Sequence, residues 1–319
     1  MMLTHTSALK FSLIAFLATA TVIGVTSSSR AEPLVGLTIS NSLVTFDSAT
    51  PNLISANPAL FGFDGAGENA VSIDYRPIPG TPLTVLTVGQ VDSDDATIVG
   101  RLYDVDATSG LLSNGRILTA SFSTAVTYTI DFNPTGPVAL RIVGSDNSNY
   151  RVTNPVTGAT TVDTALTGTG IPAIGVAYTN NDNDPLTTTT LLNVDRAGDR
   201  LSTIAAPNGG VTAEFVNTLG IDLSNTGFQE IDISGSGVAF GVFQLQGQGN
   251  VSRLYSLNLA TGAATPTAVD NRLRFNNTNI VVRGIAAAPS IVPENNTMAL
   301  LAAGLTFGGI LVRRRKISK

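Results

Sequence analysis

The 319-residue chain has no Cys, no Trp and a single His, His5. Its only Lys residues are Lys10, Lys316 and Lys319, so the segment 32–290 contains no Cys, His, Lys or Trp. These absences exclude thiol nucleophiles, Ser–His and Cys–His catalysis, cysteine or histidine zinc sites, and Schiff-base or phosphate-loop lysines. Positive charge is also scarce: segment 32–290 carries 11 Arg against 22 Asp and Glu, a net charge of −11. An acidic, lysine-free surface repels phosphate backbones, so nucleic acid is not an expected partner. Lack of Cys does not fix a compartment, because a body of this size buries a core without disulfides. Of the 23 acids, 18 are Asp, and Asp, Asn, Gly, Thr and Ser dominate the polar positions. These are turn and strand-surface residues rather than helix formers.

Apolar runs lie at the two ends. Residues 1–31 read as a secretory signal helix: Lys10 supplies the positive start, Phe11 to Val25 the apolar run, and Ser29-Arg30-Ala31 the small residues of a cleavage site. The run is about 15 residues, short of the roughly 20 that span a bilayer, which argues for a cleaved signal over an anchor. At the other end, residues 291–319 contain Val292-Pro293-Glu294-Asn295, an apolar stretch from Met298 to Val312, and Arg313-Arg314-Arg315-Lys316. That stretch makes a short transmembrane helix of about 22 Å, against a hydrocarbon core of about 30 Å. The basic cluster stays cytoplasmic, leaving the body outside that membrane. The order resembles the PEP-CTERM sorting signal of exported bacterial proteins, with Asn295 where a second Pro would stand. Val292, Pro293, Glu294, Arg313, Arg314 and Arg315 carry the resemblance, which implies an exosortase-type processing protease as a partner. The protein is then expected as an inner-membrane-anchored precursor that reaches the cell surface or the extracellular space. The plainer reading of the same residues is a C-terminal tail anchor.

Between the ends the sequence repeats. One phrase places an apolar residue four positions before Asp or Asn: Leu43 to Asp47, Leu102 to Asp106, Tyr150 to Asn154, Leu191 to Asp195 and Leu254 to Asn258. Three copies run on to Ser109-Gly110, Thr157-Gly158 and Thr261-Gly262, and Ala197-Gly198 is a variant. This predicts a strand and then a tight turn, with the Asp or Asn capping and Gly supplying positive φ. A second phrase alternates with the first: Ser72 to Pro77, Thr129 to Pro134, Gly175 to Asn180, Glu230 to Gly235 and Gly284 to Pro289. Its third positions, 74, 131, 177, 232 and 286, are spaced by 57, 46, 55 and 54 residues. Short strands repeating at roughly this interval predict an all-β fold, a β-propeller. Five blades follow from the count, and a sixth requires a degenerate copy in Phe215 to Leu223. The chain opens on the turn phrase and ends on the other, so the last strand, Gly284 to Pro289, is expected to pair with Leu34 to Ser40. That closure removes open edges.

The body also resembles a family of secreted bacterial proteins, domain of unknown function 4394. The resemblance rests on Leu34-Val-Gly-Leu-Thr, on Asp74 to Pro77, Asp131 to Pro134, Ala177 to Asn180 and Thr188 to Leu191, and extends over nearly all of Leu34 to Ala288. It implies a propeller-like body and export. It brings no known activity and no active-site residues.

Asp74, Asp131 and Asp232 hold the same place in three repeats. They are read either as a carboxylate ring holding a cation such as calcium in the central channel, or as structural residues that bond the neighbouring blade's turn. The second is favoured, because Ala177 and Ala286 interrupt the ring. Separate blades share no partners, so the effects of changing the three Asp are expected to add. Asp92 to Asp95 and Asn181 to Asp184 are oxygen-rich but lack the features of a calcium loop and read as solvated hairpin tips. Asp64 to Glu68 reads as a turn. Arg76, Arg101, Arg141, Arg151 and Arg253 are expected to pair with the surplus acids rather than clamp a substrate. The six Tyr fall mostly in repeat strands, where packing explains them.

The function expected is a non-catalytic, exported interaction or structural module of the envelope or extracellular matrix. It needs no cofactor, and an exopolysaccharide or another envelope protein is its candidate partner. The alternative is an extracellular carbohydrate-active enzyme using paired carboxylates, the one hydrolytic mechanism this inventory leaves easily available. A pair of buried acids at a channel mouth without Arg partners would favour it.

Overall fold

The computed structural model describes residues 31–290, apart from 137, 170, 183 and 185. The signal segment and the sorting tail, with Val292 to Glu294 and Arg313 to Arg315, lie outside these described residues. No helix among the described residues is long and apolar enough to cross a membrane.

Strands of antiparallel sheet build five blades around an axis. The second blade runs outward as Asn69–Tyr75, Leu83–Gln90, Ile98–Val105 and Leu112–Ser121. The third is Tyr128–Phe132, Leu140–Gly144, Asn149–Asn154 and Ala159–Val162. The fourth is Ala173–Tyr178, Leu191–Asp195, Arg200–Ala206 and Val211–Thr218, with Thr167–Gly168 added in parallel at its outer edge. The fifth is Gln229–Ile233, Ala239–Phe243, Arg253–Leu257 and Ala264–Pro266. The first blade joins the two ends of the body: Val282–Ala287 is its innermost strand, followed outward by Pro33–Thr38 and Leu43–Asp47. Its closing register sets Leu34 opposite Ala287 and Leu37 opposite Gly284, as the order of phrases predicts. Five blades are present. Phe215 to Leu223 hides no sixth, because Val211–Thr218 is the fourth strand of the fourth blade.

The core is divided among the seams between blades. Five apolar clusters are formed, one at each seam, such as Leu86, Leu102, Ile130 and Leu140 between the second and third blades, and Leu34, Phe46, Phe240 and Leu254 across the closure. Blades pack on both faces, so inner strands are buried on both. Leu83–Gln90 is buried at seven of its eight positions. The outermost strand Leu112–Ser121 has water along one side and reverts to alternation, with Leu112, Leu118 and Ala120 turned in.

The capped turns form where the first phrase places them. Asp106 Oδ1 accepts the Thr108 N–H at 2.8 Å, Asn154 Oδ1 that of Val156 at 3.0 Å and Asn258 Oδ1 that of Ala260 at 2.9 Å. Gly110 and Gly158 follow at φ 83° and 76°, and a Cβ on either would collide with a carbonyl, that of Ala59 or Ile117. The fourth copy is offset by one strand. Leu191–Asp195 is the second strand of its blade, whereas the other copies are third strands. Asp195 caps the turn after it all the same, accepting the Ala197 N–H at 3.0 Å. The true counterpart of the Thr-Gly turn is Asn208-Gly209-Gly210, where Gly210 has φ 69°. The offset has a plain cause: Leu191–Asp195 carries the same apolar-to-Asp spacing as the third strands and leads into the same kind of Asp-capped turn, although it is buried throughout where Arg200–Ala206 is buried only in part.

Candidate functional site: carboxyls on the propeller axis

The innermost strands are Asn69–Tyr75, Tyr128–Phe132, Ala173–Tyr178, Gln229–Ile233 and Val282–Ala287. Side chains alternate along a strand, so each presents two positions at equivalent heights. One level holds Asp74, Asp131, Ala177, Asp232 and Ala286. The other holds Ser72, Thr129, Gly175, Glu230 and Gly284.

Asp74, Asp131 and Asp232 meet: each contributes a carboxylate oxygen, and these lie within 4.8 Å of one another. They are 2%, 4% and 3% exposed. Their partners are main-chain N–H groups. Asp74 Oδ2 accepts from Phe132 at 2.7 Å, Asp131 Oδ2 from Tyr178, and Asp232 Oδ2 from Ala287 at 2.6 Å. Each bond crosses to the innermost strand of the following blade, not to a turn as the sequence reading had it. Two blades are preceded by Ala177 or Ala286, which have no carboxylate to offer. There the N–H is taken by the Asp one residue earlier: Tyr75 N–H by Asp74 Oδ1 and Ile233 N–H by Asp232 Oδ1, both at 2.6 Å. Five inward N–H groups, one per blade, are thus matched by five oxygens of three Asp. The sixth oxygen belongs to Asp131, which hydrogen-bonds Asp74.

A fourth acid escaped the sequence reading. Glu230 is 4% exposed and accepts from the Thr129 hydroxyl across the axis, with Ser72 as a further partner. Its signal was its spacing, two residues before Asp232 on one strand. At the same level, Ser72 Oγ accepts the Ile130 N–H and Thr129 Oγ1 the Val176 N–H, both at 3.2 Å, repeating the blade-to-blade stitch. Gly175 is required here, since a Cβ would lie 2.8 Å from the Gln229 carbonyl oxygen.

No ion pair among the described residues reaches these four acids. Burial therefore governs their protonation. It pushes Asp74 up to about 7, against the pull of the Phe132 and Tyr75 N–H groups. Burial, and then the charges of Asp74 and Asp232, hold Asp131 well above the usual carboxylate range. Asp232 is raised by burial and by Asp74, and Glu230 by burial first. The Asp74–Asp131 hydrogen bond requires a proton between the two carboxyls, and both are raised by burial first.

Calcium takes six to eight oxygens. Three carboxyls whose oxygens already serve five N–H groups and one shared proton match that demand poorly. The three Asp contribute oxygens within 4.8 Å of one another, near the roughly 5 Å between the carboxyls of retaining glycosidases, and each is buried among main-chain donors.

Elsewhere, Asp92 to Asp95 is exposed and spends its oxygens on its own turn, Asp92 Oδ1 accepting the N–H groups of Asp94 and Asp95 at 2.8 Å. The Asn181 to Asp184 loop departs from the expected solvated tip. Asn181 is buried, donates to the Ile233 carbonyl at 2.7 Å and receives the Ser290 N–H at 2.9 Å. Glu68 is more than a turn residue: it is buried against Arg101 and accepts the Thr87 hydroxyl at 2.8 Å. Arg141 and Arg151 both pair with Asp163, at 2.7 and 3.1 Å. Arg76 and Arg253 form no ion pair among the described residues; Arg253 donates to Gln248 at 2.8 Å. All six Tyr lie in strands.

The family model described as a domain of unknown function, DUF4394, matches residues 42–285. The chain belongs to the DUF4394 family. The matched span runs from the first blade's outer strand to its innermost one, so it takes in every axial acid of this DUF4394 propeller. No curated protein matches the chain in sequence. Among solved structures, the chain is similar to a protein of unknown function from Bacteroides caccae, with 16% identity and a TM-score of 0.38, covering 77% of this chain and 73% of that one. It is also similar to a putative 6-phosphogluconolactonase from Bacteroides fragilis, with 9% identity and a TM-score of 0.37, covering 81% and 98%.

Proposed function

We propose that this protein is an exported, non-catalytic propeller that serves as an interaction or structural module of the bacterial envelope or extracellular matrix. The observation that carries this reading is the matching of five axial N–H groups to three sealed Asp. The acids required for two-carboxylate hydrolysis serve instead as fasteners of the ring. General acid–base work needs a carboxyl within hydrogen-bond reach of substrate; the three Asp are bonded to main-chain N–H groups of the ring, and Glu230, which borders a small pocket of about 120 Å³, is 4% exposed and bonded to Thr129. The absence of Cys, His and Lys from segment 32–290 removes the other common nucleophiles and bases.

The test is incubation of the purified protein with neutral and acidic polysaccharides, followed by chain-length analysis. Chain lengths are expected to stay unchanged. Cleavage by the wild type that is lost in Asp131→Asn or Glu230→Gln would establish the enzyme reading instead. Export and tail processing by an exosortase-type protease belong to the same proposal. Mass spectrometry of the extracellular protein should find a C-terminus upstream of Arg313, and an intact Lys319 there rules processing out.

A further inference from the structure

We propose that two neighbouring grooves on the face where the innermost strands end bind the acid groups of an anionic oligosaccharide. This inference rests on the reading of the protein as an interaction module and names the class of its partner. One groove, of about 480 Å³, lies between the second and third blades and is lined by Arg76, Thr81, Thr84, Asp104, Arg116 and Phe132. The other, of about 550 Å³, lies between the third and fourth and is lined by Asn133, Arg141, Arg151, Thr153, Tyr178 and Asn208. The blade repeat relates them. Phe132 and Tyr178 follow axial positions 131 and 177, and Arg76 and Asn133 each stand two residues after positions 74 and 131.

Their charge is unusual for this body. In each, two guanidiniums share one acid. Arg116 pairs with Asp104 at 2.7 Å, and among the described residues Asp104 is the one acid that acts on Arg76 beside it. Arg141 and Arg151 share Asp163. Each groove thus keeps one uncompensated positive charge, in a segment where acids outnumber Arg two to one. Arg76 is the sharper case. It is half-buried and its side chain donates no hydrogen bond among the described residues. Its Nε is buried without an acceptor among the described residues, and the positive charge of Arg116 acts on it. Partial burial of an unpaired cation beside another is unfavourable. An anion in the groove relieves it.

The remaining lining selects the anion's carrier. A guanidinium fork matches a carboxylate or another oxyanion by paired hydrogen bonds. Around it stand hydroxyls and amides, Thr81, Thr84, Thr153, Asn133 and Asn208, which suit a hydroxyl-rich ligand. Two neighbouring grooves, each with a pair of guanidiniums, suit a ligand whose acid group repeats. A uronate-type oligosaccharide meets all three conditions.

The experiment is calorimetric titration of the purified full-length protein with a galacturonate hexamer at low and moderate salt. A neutral glucan hexamer, galacturonate monomer, inorganic phosphate and oligoglutamate serve as comparison ligands. Binding of the uronate hexamer is expected, weakened by salt and stronger than that of the monomer or phosphate. Arg76→Gln and Arg151→Gln should each weaken it by about tenfold, the loss of one charge-assisted contact. Arg253→Gln, outside the grooves, should leave it unchanged, and melting curves confirm that each variant is folded. Equal binding of the neutral hexamer, tighter binding of oligoglutamate, or wild-type affinity in Arg76→Gln overturns the inference. Chain-length analysis of the recovered hexamer separates the two readings. A ligand bound and returned whole supports both. A ligand bound and cut upholds the site and refutes the non-catalytic role. A ligand not bound removes the site alone.

Discussion

Raising the pH should weaken this propeller across a range where most proteins are at their most stable. Asp74 has an ordinary carboxyl value of 3.8 when the chain is unfolded and about 7 in the folded axis. Below the lower value both states are protonated and the axis contributes fully. Between the two, the unfolded chain has released a proton that the folded chain keeps. Stability therefore falls as pH rises, and the contribution is lost as pH passes the folded value. A difference of about three units corresponds to about 4 kcal/mol. For a domain of this size that is a fall in Tm on the order of 10 °C. Asp131, Asp232 and Glu230 are raised in the same direction and carry the loss beyond neutral pH. Surface acids act oppositely but elsewhere: Asp106 is held low by the Thr108 N–H, and its contribution is lost only as pH falls below the ordinary Asp range.

The assay is thermal melting followed by circular dichroism from pH 4 to 9 at fixed ionic strength. Net negative charge on the body would also lower Tm as pH rises, but that repulsion is screened by salt, whereas a buried cluster is screened far less. The slope should therefore survive at 0.5 M salt. Asp131→Asn separates the causes further. An amide keeps the oxygen that accepts the Tyr178 N–H and carries N–H donors in place of the proton shared with Asp74. It should flatten the slope and cost little at pH 8. A Tm that climbs steadily from pH 4 to 8, or an unchanged slope in Asp131→Asn, refutes the protonated axis. A calcium-dependent rise in Tm that Asp131→Asn abolishes would show that a cation occupies it.

Because the three Asp converge within 4.8 Å, alanine substitutions should not add as separate blades would suggest. Asp74→Ala strands two N–H groups at about 1–3 kcal/mol each, and the double change with Asp131→Ala should cost less than the sum, measurable by urea denaturation. A chain ending at Asn279 lacks Val282–Ala287 and with it the closure; it should lose cooperative unfolding and aggregate, while normal melting would reject the role of that strand. Gly158→Ala forces a side chain onto positive φ and into the Ile117 carbonyl. It should lower stability by more than about 1 kcal/mol, and a neutral effect in the same denaturation assay would count against the turn geometry.

Blade number and closure were legible because the Ile-Asp phrase marks a position unique in each blade, the innermost strand at the level of its axial side chain. The identity of other strands was less so. Leu191–Asp195 passed for a third strand because it ends, like the third strands, on an Asp that caps the following turn. Glu230 stands where other blades have Ser72, Thr129 or Gly, so no repeat pointed to it; only its two-residue spacing from Asp232 did. The pairing of Arg76 with Arg116 was hidden for another reason. It joins the end of an innermost strand to an outermost one, and neither phrase spans that distance. Convergence of the three Asp was one of the two readings their equivalent repeat positions allowed; what the repeat did not show is that their oxygens bond main-chain N–H groups of the innermost strands rather than turns.

The same ring explains why three carboxyls suffice where the repeat offers five positions. Every blade turns one N–H toward the axis, and each such group must find an acceptor. Five Asp would supply ten oxygens for five donors and crowd five carboxyls into one buried volume. Three Asp supply six oxygens. Five meet the N–H groups, two of them by reaching back along their own strand to Tyr75 and Ile233. The sixth, on Asp131, shares a proton with Asp74. Ala177 and Ala286 are therefore part of the design of the axis rather than decayed copies, since another carboxyl at either place would add a buried charge with no donor left to receive it.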